Sequence, residues 1–137
     1  MTPRRSRRIA VDTAKHKDYL QAAHQFYIGA DAAMSLENWS AAALLVVHAA
    51  IAYTDALTIK IGGVKSQGDD HMAAVDVARE LIAVDDAGRK ALTHLVRVIQ
   101  EKNVVSYSGD VSSRNQAESL WKHLERYRSW ALLLLNA

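Results

Sequence analysis

At 137 residues, half of them apolar and only one a proline, the chain is sized for one domain around one core rather than for disorder or a string of modules. The absence of cysteine excludes disulfides, thiolate catalysis and cysteine-ligated zinc, and it matches a reducing compartment, so the expected location is cytoplasmic. Four of the 17 basic residues are Arg4, Arg5, Arg7 and Arg8, which leaves 13 basic against 15 acidic residues, a mildly acidic body behind a basic start. Residues 1–12 therefore read as a basic, flexible tail, either solvated or touching phosphate, and residues 13–137 as a single domain. No apolar stretch of signal-peptide type follows "MTPRRSRR", and the longest apolar run, Ala41 to Tyr53, is too short for a bilayer and carries His48, so no membrane contact is expected.

From Thr13 to about Leu36, apolar residues at Tyr19, Ala22, Ala23, Phe26, Tyr27, Ala30, Ala33 and Met34 keep the spacing of an amphipathic helix. Asn38 stands where a cap would start a second helix, Trp39 to about Ile61, ended by Gly62-Gly63. That helix is apolar nearly all round, which predicts a central position, and the short turn before it predicts antiparallel packing on the first. "GGVKSQGDD" is the one loop rich in glycine and polar residues. Asp69 or Asp70 caps a third helix from His71 to about Val84, and Asp85 or Asp86 opens a fourth that continues to Val104 or Val105 and stops near Ser106 to Asp110. Ser113 and Gln116 have capping-box spacing, and a fifth helix follows to the C-terminus. No strand pattern and no internal repeat is visible, so the expected fold is all-α, an up-and-down bundle of about five helices. The apolar end "WALLLLNA" predicts either packing under the first helix or a subunit interface.

The histidines form no HExxH or comparable pair, and aspartates ahead of a helix, as in "DDH" at 69 to 71, are ordinarily caps, so neither a metal nor another cofactor is expected. GxSxG, GxxxxGK[ST] and a strand-borne GxGxxG are all missing. His48 and Asp55 share a stripe of the second helix about 10 Å apart, too far to touch, so each needs a partner from another helix as a buried polar group or a site residue.

The order of features resembles the HEPN family of small helical domains over roughly residues 15 to 135. "ENWSAAALLVVHAAIAYTDAL" looks like its alanine-rich second helix, "GDDHMAAV" like the entry to its third, and "KNVVSYSGD" like the segment that carries R-x4-6-H near the end of the fourth. The resemblance implies a dimer in which two such segments meet in one cleft. In active members the cleft cuts RNA without metal; others bind nucleotides, nucleic acid or a partner nucleotidyltransferase. The motif positions here are Lys102, Asn103 and Tyr107, so both signature residues are replaced: lysine lacks the planar two-pronged contact of a guanidinium, and a phenol with an ordinary pKa of about 10 is poorly matched to proton transfer at neutral pH. Five residues of regular helix separate side chains by about 140°, so Lys102 and Tyr107 share a cleft only if the helix breaks after Ile99 or a second subunit closes around them. Arg89 and His94 reproduce R-x4-H literally, but too early in the helix.

The leading expectation is thus a homodimeric, HEPN-like binding module that contacts RNA, nucleotide or a nucleotidyltransferase partner through Lys102, Asn103 and Tyr107, with His48, Asp55 and His71 as further binding candidates. A metal-independent ribonuclease toxin and a purely structural interaction domain are the alternatives.

Overall fold

Helix α2 (Trp39–Gly62) is the axis around which the chain packs, and every residue from Ala52 to Ile59 on it is buried. The computed structural model describes residues 7–67, 70–82, 85–108 and 111–136, without the side chains of 102–108. Among these residues it is an all-α bundle of five helices with one small ribbon: β1 (Arg8–Ala10), α1 (His16–Ser35), α2, β2 (Val64–Ser66), α3 (Met72–Leu81), α4 (Asp86–Ser108) and α5 (Arg114–Leu135). By length and composition α2 could cross a membrane, being longer than the Ala41–Tyr53 run suggests, but 78% of its most apolar window is buried inside the protein.

Small side chains let α1 lie close along α2. Ala23, Ala30 and Ala33 are its buried residues, and a Cβ on Gly29 would come within 3.3 Å of Leu45. The pairs Phe26 with His48 and His24 with Tyr53 fix the antiparallel register expected from the short turn. Helix α5 runs parallel to α2 and packs directly on it: Ser112 N donates to Ser40 Oγ at one end, and Lys60 Nζ donates to the Leu135 carbonyl, 2.9 Å, at the other. Between them, Thr54 Oγ1 donates to the Ala50 carbonyl and so accepts from the Tyr127 hydroxyl, 2.6 Å away, which satisfies a fully buried phenol. Helix α4 pairs antiparallel with α5, Gly88 facing Trp130 and His94 facing His123.

The ends of the helices follow the local chemistry. Ser113 and Gln116 form the reciprocal capping box, Asp85 Oδ1 accepts from Gly88 N, and Asp70 Oδ1 accepts from Met72 N. Asn38 occupies the cap position of α2 without a side-chain cap bond. Gly63 ends α2 with φ 65°, the left-handed conformation a side chain resists, while a Cβ on Gly62 would sit 2.8 Å from Leu81 Cδ1 on α3.

Two expectations need correction at the start of the chain. Residues 8–10 are not part of a flexible tail, and a strand exists where none was visible: β1 pairs antiparallel with β2, Ile9 opposite Lys65, and Val11 N donates to the Gly63 carbonyl, 2.8 Å. The "GGVKSQGDD" loop is correspondingly structured over Val64–Ser66, while Gly68 and Asp69 lie outside the described residues. Of "ALLLLNA", Leu132 packs on the core and Leu135 is buried, whereas Leu133 and Leu134 are exposed.

Candidate functional site

The first two turns of α1 place Lys17, Gln21 and His24 at i, i+4 and i+7, one polar stripe beside the apolar stripe that packs on α2. Because α5 lies alongside, this stripe faces Arg128 and Leu132. Together with Leu20 these residues line a groove of about 440 Å³, within the range of small-molecule sites.

Tyr53 of α2 anchors the groove from below. Arg128 Nε donates to its hydroxyl oxygen at 2.9 Å, and His24 Nδ1 lies 3.3 Å from the same oxygen. A phenol that accepts from Arg128 and gives its own proton to His24 Nδ1 leaves the histidine ring proton on Nε2. The Arg128 guanidinium lies 3.9 Å from the centre of the Tyr27 ring, and Tyr27 stacks on Trp121, centroids 5.1 Å apart. The Tyr27 hydroxyl donates to Glu125. Burial and then that bond push the Tyr27 phenol up to about 12; burial also raises Tyr53, against the pull of Arg128. Both phenols stay protonated at neutral pH, so they position other groups and do not act as bases.

Every polar group lining the groove can therefore donate a hydrogen bond: the Lys17 ammonium, the Gln21 amide, His24 Nε2 and the Arg128 fork. No carboxylate lines it, and neither Lys17 nor Arg128 is in an ion pair among the described residues.

The six residues singled out in the sequence do not converge here. Lys102, Asn103 and Tyr107 fall on the last turns of α4, and their side chains lie outside the described residues; the helix continues to Ser108 without the break after Ile99 that a common cleft within one chain needs. Of the two readings of His48, a buried polar group or a site residue, the first is corrected: His48 is exposed beside Leu44 with Phe26 against its ring, because among the described residues α1 and the rest of the bundle leave this stripe of the N-terminal half of α2 uncovered. Asp55, two turns on, is buried beneath the β ribbon. Its Oδ2 is 3.8 Å from Lys65 Nζ, its Oδ1 has no hydrogen-bond partner among the described residues, and burial, partly countered by Lys65, pushes its pKa up to about 6. His71 is half-buried at the start of α3.

A second cluster lies between α4 and α5, where His94 Nδ1 and His123 Nδ1 are 2.9 Å apart and share one proton. Burial is the first cause lowering both pKa values, followed for His94 by His123 and Arg126. Arg89 is exposed and ion-paired with Asp86, so the literal R-x4-H pair is divided between two unrelated contacts. Among the described residues no group of three or more His, Cys, Asp or Glu could hold a metal ion.

Sequence reading placed Tyr27 and Tyr53 only as apolar positions and passed over Lys17, His24 and Arg128. The polar stripe on α1 was the available signal, but its partner across α5 depends on which helices are neighbours. No protein-family model, curated protein or solved structure matches this chain.

Proposed function

We propose that the protein is a binding module for a small phosphate-bearing ligand of the nucleotide class, seated between α1 and α5. The observation that carries this reading is a groove lining in which every polar side chain can donate and none is a carboxylate, with two cations that have no ion-pair partner among the described residues and one guanidinium held in place by Tyr27 and Tyr53. A cation fixed by stacking and by an Nε hydrogen bond loses little side-chain freedom on meeting an anion, and its Nη edge matches phosphate oxygens two at a time. Leu20 and Leu132 supply the apolar floor for the organic part of the ligand. The resemblance to HEPN domains, some of which bind nucleotides, supports the same ligand class while pointing to the other end of the bundle, at Lys102 and Tyr107.

Titration calorimetry with adenosine 5′-monophosphate, at fixed ionic strength, tests the reading. Arg128→Gln is expected to weaken binding about tenfold or more, and Lys17→Met, whose side chain supports no neighbour, about three- to tenfold. The double variant Lys102→Ala, Tyr107→Phe is expected to bind as the parent does. Undiminished binding by both groove variants, or loss confined to the α4 variant, removes the proposal.

A further inference from the structure

We infer that the groove selects a terminal phosphomonoester over a phosphodiester, a conclusion that rests on the anion-binding reading above and adds the charge state of the ligand. Two formal cations, Lys17 and Arg128, line one groove with no carboxylate in its lining and no ion-pair partner among the described residues. Glu125 accepts from the Tyr27 hydroxyl and is not in the groove lining. His24 lines the groove beside the two cations, its Nδ1 3.3 Å from the Tyr53 hydroxyl oxygen.

The charge that complements such a lining is close to −2. A phosphomonoester carries about −1.5 to −2 at neutral pH and offers three terminal oxygens, whereas a diester or a carboxylate carries −1 and offers two. The donors also surround the anion from both walls. Lys17 and His24 line the groove from α1 and Arg128 lines it from α5. The third terminal oxygen of a monoester gives these donors one more charged acceptor than a diester offers. A diester buries one of those oxygens in a second ester linkage and leaves a cation uncompensated, which costs affinity in a partly desolvated groove.

The test compares two probes that differ by one methyl group: adenosine 5′-monophosphate and its 5′-O-methyl phosphodiester, titrated into the full chain at pH 7.5. The monoester is expected to bind about tenfold tighter or more, and Lys17→Met is expected to reduce that preference to about threefold or less, while the stability of the variant to urea stays that of the parent. Equal affinity for the two probes, with both still dependent on Arg128, overturns the monoester inference and leaves the anion-binding reading standing. Binding of neither probe overturns both. A preference that persists unchanged in Lys17→Met overturns the charge-counting argument, since the discrimination then does not come from the second cation.

Discussion

Asp55 is a carboxyl group held where its charge is poorly served. Among the described residues its Oδ1 has no hydrogen-bond partner and its Oδ2 has only Lys65 at 3.8 Å, and its pKa rises to about 6 from an ordinary 3.8. The folded chain then binds this proton more tightly than the unfolded chain does, so the contribution of the group to stability is complete below pH 4 and is lost as pH rises through 6. Asp55→Asn is expected to gain on the order of 2 kcal/mol at pH 7.5 and nothing at pH 4, read from urea midpoints, since the cost being removed is that of a buried charge. The His94–His123 pair has the opposite sign. Its lowered pKa values mean that the unfolded chain binds protons first as pH falls below about 6.5, so stability drops on acidification, and His123→Gln is expected to flatten that drop in unfolding curves taken between pH 7 and 5. Neither effect was legible in the sequence: His48 and Asp55 sit on the same stripe, yet one is exposed and the other buried, because the β ribbon covers only one end of it.

Helix boundaries were far more legible, since caps are local chemistry. Ser113 with Gln116, Asp85 and Asp70 each bond to the backbone donors their spacing implied, and Gly63 takes the left-handed conformation that ends α2. Asn38 shows the limit of such reasoning, for it holds the right position and makes no side-chain cap bond. Ser113→Ala is accordingly expected to cost about 1 kcal/mol in thermal or urea unfolding, and Asn38→Ala a small fraction of that. The ribbon escaped notice for a different reason. "RIA" and "VKS" are too short to show alternation, and they pair only because α1 and α2 bring residues 8 and 66 together.

At the scale of the whole molecule, the apolar circumference of α2 dictated its central place and the all-α fold, and the structure agrees over its buried C-terminal half. The site was not legible because it depends on α1 and α5 lying side by side, a neighbour relation between elements more than 70 residues apart that no local pattern encodes. The resemblance to HEPN domains directed attention to residues 102–107, at the end of α4, whereas Lys17, His24 and Arg128 lie on other helices. Backbone amide chemical-shift mapping with adenosine 5′-monophosphate separates the two places in one titration. The largest shifts are expected at residues 17–24 and 125–132; shifts concentrated at residues 100–108, with α1 and α5 silent, would contradict the assignment of the groove as the ligand site.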